Sequence, residues 1–139
     1  MIETYGENMT VYDFVMKLSD SCPQKEGLLS LEDFHKRGII EDIDCRFSDE
    51  NITKGVAARI STVFLCTIMG EKEVTDWALA SSFADLYDCR VCAKYIANAY
   101  IKGICPKRTD NIFGYKDILS DKEAFDIIER IFDKKKRLL

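Results

Sequence analysis

Cys89-Arg90-Val91-Cys92 is the stretch whose residue types and spacing point most directly to chemistry. A C-x-x-C can form half of a zinc knuckle or act as a redox pair. Zinc needs four ligands, usually a second such pair or added histidines. The six cysteines stand at 22, 45, 66, 89, 92 and 105, and the single histidine is His35. A thioredoxin-type pair calls for a strand ahead of its helix. Phe83 to Ile104 instead reads as an acidic turn running into an apolar-striped helix that stops at Gly103. The expectation is therefore free, half-buried thiols, with Cys89 and Cys92 held as the metal or thiol candidates. No cofactor and no catalytic residue are expected. His35 follows Phe34 on an amphipathic segment with no nucleophile placed beside it. Glu32-Asp33 and Glu41-Asp42 read as solvated surface, and no glycine-rich phosphate loop is present.

Length and composition bound the rest. A chain of 139 residues is one domain, 1–139, long enough to bury a core without staples. Its 47% apolar and 32% charged residues are those of an ordinary globular protein. Net charge is −4 with both signs mixed, which argues against a nucleic-acid binder tracking phosphates. The one cationic run, Lys134-Lys135-Lys136-Arg137, suits a helix end. The most apolar window, Val56 to Met69, contains Arg59 and is too short to cross a bilayer, so no membrane insertion is expected. Met1-Ile2-Glu3 does not open a secretory signal. The expectation is a cytoplasmic chain with reduced cysteines if the sequence is full length, and a cell-surface one if a signal was removed.

The elements that position these residues follow an internal repeat. A shift of 65 carries Leu18-Ser19-Asp20 onto Phe83-Ala84-Asp85, Leu31 onto Ile96, and Gly38-Ile39 onto Gly103-Ile104. The register then slips by one or two residues. Phe47 pairs with Phe113, Ile52-Thr53 with Leu119-Ser120, and Ala57 and Ile60 with Ala124 and Ile127. Each unit reads as an acidic turn, a first helix ending at Gly-Ile, a loop to a buried Phe, and a second helix opened by Ser or Thr. Gly38 and Gly103 sit where a helix end needs a left-handed residue. Ser120 with Glu123 is a capping-box pattern, and Thr53 and Thr10 are N-caps.

The fold class is all-α: two helix-loop-helix repeats, about 18–69 and 83–136, in one helical domain with an extra N-terminal half-repeat helix, about 9–18. Helices are predicted over Ser30–Arg37, Thr53–Met69, Arg90–Lys102, Ser120–Lys134 and Thr10–Leu18, with Glu71–Ala80 as a further helix or helical turn linking the repeats. The predicted core includes Leu31, Phe34, Ile39, Phe47, Ile60 and Phe64 in the first unit. It continues through Ile96, Ile104, Phe113, Ile127 and Ile131 in the second.

The second unit resembles an S-layer homology repeat, the module by which many bacterial surface proteins hold cell-wall polysaccharide. Phe83, Asp85, Leu86, Tyr95, Ile96, Gly103, Ile104, Phe113, Leu119, Ser120 and Glu123 match that pattern in type and spacing. The first unit matches through Leu18, Asp20, Gly38, Ile39, Phe47, Ile52 and Thr53, so the resemblance spans about residues 9 to 133. It implies two degenerate repeats of a family that commonly uses three in a pseudo-threefold bundle, with the N-terminal helix available to complete one prong. It also implies ligand positions. The family's T-R-A-E arginine falls on Lys54 and Asp121, and its loop glycine on Asp42 and Lys107. An anionic wall sugar is best gripped by a planar bidentate cation. Lys54 offers only a point charge, and Asp121 reverses the sign.

Lys54, Lys107, Arg108 and Asp121 are therefore the candidate binding residues. The leading expectation is a non-catalytic, adaptor- or inhibitor-like module whose partner is another protein, on a scaffold that has lost its wall-ligand residues. The alternative is binding of an anionic cell-wall glycan through Lys54, Lys107 and Arg108. A third is a thiol- or zinc-dependent protein built on Cys89 and Cys92.

Overall fold

The computed structural model describes residues 8–23 and 26–138. The opening Met1-Ile2-Glu3, read above for a signal, lies outside them. Six α-helices are present among the described residues: α1 (Val11–Ser21), α2 (Leu31–Lys36), α3 (Asp42–Arg46), α4 (Lys54–Thr67), α5 (Ala93–Ile101) and α6 (Asp121–Phe132). Short 3-10 turns occupy Ala78–Ala80, Arg90–Cys92 and Lys134–Lys136. Extended pairing among the described residues is confined to isolated bridges, so the chain is all-α.

The two predicted helix stops are built alike. Gly38 and Gly103 both adopt left-handed backbone, with φ of 76° and 77°. After α2, Gly38 N–H donates to His35 O (3.0 Å) and Ile39 N–H to Phe34 O (2.9 Å). After α5, Gly103 N–H donates to Tyr100 O (2.9 Å) and Ile104 N–H to Ala99 O (2.9 Å). The repeat shift carries every donor and acceptor of the first stop onto the second. Both turns satisfy carbonyls the helix leaves open and drive an isoleucine into the core.

The helix starts show a second, higher symmetry. Thr10, Thr53 and Ser120 each accept a hydrogen bond from the backbone N–H three residues on, at 3.0, 3.3 and 3.2 Å. Each also forms an antiparallel bridge: Thr10 with Asn51, Thr53 with Ile118, and Ser120 with Asn8. Every bridge joins the N-cap of one helix to the residue two before the N-cap of the next, and the third returns to the first. The chain thus closes a ring, and the residues between bridge partners, Met9, Ile52 and Leu119, are all buried. α1, α4 and α6 rise from this ring as three pseudo-equivalent prongs, with α6 packed on both α1 and α4.

Four expectations need correction. Phe47 is exposed rather than buried, because Glu41 and Asp44 cap an extra helix, α3, in the first unit's loop. Phe47 falls at its C-cap, whereas its counterpart Phe113, on a loop without a helix, is buried. Leu31 is half-buried, being the first residue of a six-residue helix with one buried position, Phe34. Four of the predicted helices overrun by a residue or more at their ends, whereas α1 runs on to Ser21, three residues past the predicted Leu18, and α5 begins as a 3-10 turn at Arg90–Cys92. Finally, Glu71 to Trp77 is a non-helical strap. The buried Asn98 amide holds it, accepting from Val74 N–H (2.6 Å) and donating to Val74 O (3.2 Å). Glu71 ties it to Arg137 and Lys102.

Candidate functional site

The ring places one concavity at the base of each prong. Each begins at the first residue of one helix and runs up the flank of the next. Val11 faces Val56 and Arg59 of α4 across a groove of about 470 Å³. Asp121 faces Asp13 and Met16 of α1 across one of about 210 Å³. Lys54 faces Glu123 and Asp126 of α6 across one of about 70 Å³. Val56, Glu123 and Asp13 each lie three residues past an N-cap, and Arg59, Asp126 and Met16 six. The three grooves are therefore pseudo-symmetric copies that have diverged in size and charge.

The structure separates the four candidate binding residues. Lys54 is buried; its Nζ donates to Phe113 O (2.7 Å) and Pro106 O (3.0 Å) and stands over the Phe113 ring. Burial lowers its pKa, and the surrounding Cys105, Asp117 and Glu123 only partly offset that. Lys54 is thus a clamp on the 106–113 loop. Arg108 lies on the same loop, exposed, with a bidentate pair to Asp117 (3.0 and 2.7 Å). Lys107 is exposed and pairs with Asp110 at 2.7 Å. Asp121 lies elsewhere, in the α1–α6 groove, where Asp13, Asp20 and Asp121 stand with Lys17, the one cation among the described lining residues.

Asp85 fixes the same loop. Burial alone would raise its carboxyl, but donated bonds from Phe113 N–H (2.9 Å) and Gly114 N–H (2.8 Å) hold it below the usual range. Asp85 and Lys54 therefore grip one loop from two sides, the anion on its N–H groups and the cation on its carbonyls.

The largest groove is floored by a pair that sequence reasoning missed. Arg59 binds Asp44 through two hydrogen bonds of 2.8 and 2.6 Å, with side chains only 14% and 3% exposed. Burial pulls the Arg59 pKa down, and the Asp44 bonds and charge more than restore it. Around this neutralised floor stand Val11, Val56 and Tyr95. Three apolar side chains reach solvent among the groove-lining residues: Ile43 (56% exposed), Phe47 (43%) and Val91 (79%). Glu41 and Glu50 add carboxylates. The sequence signals were an arginine in an otherwise apolar helix and the Glu41-x-x-Asp44 cap.

Cys89 and Cys92 are joined by a disulfide, which corrects the expectation of free thiols there. The acidic turn holds the two cysteines one helical turn apart at the entry to α5, and Cys92 lines the large groove. In that state neither sulfur is a thiolate ligand for zinc. Among the described residues no group of three or more His, Cys, Asp or Glu is placed to hold a metal. Cys105, buried beside Lys54, has its thiol pushed up to about 12 by burial. His35 is exposed and 2.6 Å from Asp42. Among the described residues no helix is long and apolar enough to cross a membrane.

No protein-family model, curated protein or solved structure matches this chain.

Proposed function

We propose that this chain is a non-catalytic protein-binding module on a degenerate S-layer-homology-like scaffold. Its α1–α4 groove takes a partner segment with one or two large apolar side chains flanked by Lys or Arg. The observation that carries this reading is the combination at that groove. Ile43, Phe47 and Val91 are exposed around a 470 Å³ cleft whose only lining cation among the described residues, Arg59, is bound to Asp44, while Glu41 and Glu50 remain. Apolar contact supplies affinity, and the carboxylates select basic flanks.

An anionic glycan fits these surfaces less well. The three pseudo-equivalent positions at the groove mouths hold Val11, a buried Lys54 and Asp121. None presents the planar, unpaired cation that would grip a carboxylate sugar. The closed three-prong ring and the twin Gly-Ile stops support the scaffold part of the reading. A cytoplasmic setting belongs to the proposal too, with Cys89–Cys92 as a pair that must then be exchangeable.

Selection of a random-peptide display library on the folded protein tests the proposal. Enriched peptides should carry an apolar residue beside Lys or Arg. Phe47→Asp should weaken them at least about tenfold, since burying one large apolar side chain is worth roughly 1.5–3 kcal/mol. Circular dichroism and melting would show the variant folded. Peptides indifferent to both Phe47→Asp and Ile43→Asp, or co-sedimentation of the natural chain with pyruvylated cell-wall preparations, would overturn it.

A further inference from the structure

We infer that Cys89 and Cys92 form a reversible dithiol–disulfide site that sets the shape of the large groove's wall. The inference rests on the groove reading for its consequence, but not for its chemistry. Three observations carry it. The two sulfurs are already joined across a single turn. Cys92 lines the groove, and Val91, held between the two cysteines, is its most exposed apolar side chain. The pair also stands at the start of the α5 segment, whose other end is anchored through the Gly103 stop. Closing or opening the small ring therefore moves the rim rather than the core.

The remaining thiols do not share this position. Cys22 and Cys105 are buried, and burial raises the pKa of both Cys45 and Cys66. Cys89 stands at the N-cap position of the short 3-10 turn and is half-buried, within reach of a small thiol.

The reaction is exchange with a small-molecule disulfide of the glutathione class. The Cys89 thiolate attacks one sulfur of that disulfide, whose S–S bond breaks, and one small thiolate leaves with the electron pair. Cys92 loses its proton and attacks the Cys89 sulfur of the mixed disulfide, expelling the second small thiolate. Two protein thiols are oxidised and one small disulfide is reduced to two thiols; excess small thiol runs the sequence backward.

The ring holds Val91 at the groove mouth, so the oxidised form is the tighter binder. Once the ring opens, the short 3-10 turn at Arg90–Cys92 is free to rearrange and the rim loses its fixed apolar contact.

The test uses the full chain in oxidised and in reduced glutathione, with thiols trapped by alkylation. Trypsin cuts after Arg90, so the disulfide appears as the tetrapeptide Val91–Lys94 linked to the peptide ending at Arg90. That linked species should form in oxidised glutathione and vanish in reduced glutathione, while Cys45 and Cys66 stay alkylatable in both. Amide NMR signals of Ile43, Val56 and Tyr95 should move with it. In Cys89→Ser/Cys92→Ser they should sit at the reduced positions in both buffers. Display-selected peptides should bind the oxidised form at least about fivefold tighter, the lower end of ordinary coupling between sites. Failure of the linked peptide to form, or groove signals unmoved while it forms, overturns the inference, as does equal peptide affinity in the two states. If no groove-dependent peptide is found but the signals move, the partner reading fails and the exchange site stands.

Discussion

The Arg59–Asp44 pair offers the sharpest test of how the groove is built. Asp44 is nearly sealed and Arg59 mostly so, with two hydrogen bonds between them and Glu41 at 4.0 Å as a second carboxylate. Asp44→Asn leaves the guanidinium desolvated without its principal anion. Breaking one side of a buried pair costs roughly 3–5 kcal/mol. Glu41 can take part of the charge, so the expected loss is near the lower figure, about 3 kcal/mol. Arg59→Met should cost about as much, since Asp44 would keep only the N–H of Glu41 (2.8 Å). The double variant removes both charges and should lose only about 1–2 kcal/mol, because exchanging a buried pair for an apolar contact is often close to neutral. Urea unfolding of the wild type and three variants at one pH gives a cycle with a coupling of at least about 2 kcal/mol. Singles that lose less than about 0.5 kcal/mol, or a double that equals their sum, would show that the pair is solvated and does not floor the groove.

Other consequences are equally direct. Gly103→Val should destabilise by roughly 2–3 kcal/mol in denaturant melts, while Gly38→Ala, with nothing within 4 Å of the added Cβ, should cost only about 1 kcal/mol. No loss at either position would mean that the two helices do not end on a left-handed residue. Lys54 has a lowered folded pKa, so the unfolded chain holds more protons on it between that value and the ordinary lysine one. Across that alkaline window its contribution to stability should rise with pH, and Lys54→Met should abolish that part of the slope; an unchanged slope would refute it. Asp121→Arg should raise sedimentation with pyruvylated wall preparations at a small cost in melting temperature, because it puts a cation in the first turn of α6; no rise would show that the α1–α6 groove has lost more than its cation. EDTA should not move the melting temperature, and stoichiometric zinc in metal analysis would overturn the reading of Cys89 and Cys92 as a disulfide pair.

The fold was legible where local physics leaves little choice. Gly-Ile after an amphipathic run specifies a left-handed stop, and Thr or Ser before an apolar stripe specifies a start; both rules held in each unit. The ring escaped because its bridges pair residues far apart in sequence, each an isolated residue pair with no strand pattern to announce it. α3 escaped because five residues are too few for periodicity, and its start is marked only by reciprocal carboxylates. The strap at Glu71–Trp77 carried a helix-compatible composition, but the side chain of Asn98 supplies the partners that a helix would have supplied from its own backbone.

The site was less legible for a related reason. Lys54 and Asp121 stand at corresponding chain positions, so a residue-by-residue carry-over treats them as two versions of one ligand contact. Position at the helix start decides which groove each side chain meets, but the neighbouring loop decides whether it can reach a ligand. Over Lys54 the 106–113 loop folds down and turns two carbonyls onto the ammonium, closing that groove to about 70 Å³. Over Val11 the corresponding loop contains α3, which stands off and lets Ile43 and Phe47 face outward, leaving about 470 Å³. The cation that sequence matching nominated thus became internal structure, and the open groove formed where the matching position is apolar. The proposed preference for a basic, apolar partner over an anionic sugar rests on that contrast: of the three groove-mouth positions Asp121 alone is an unburied charge, and the exposed apolar side chains stand beside Glu41 and Glu50.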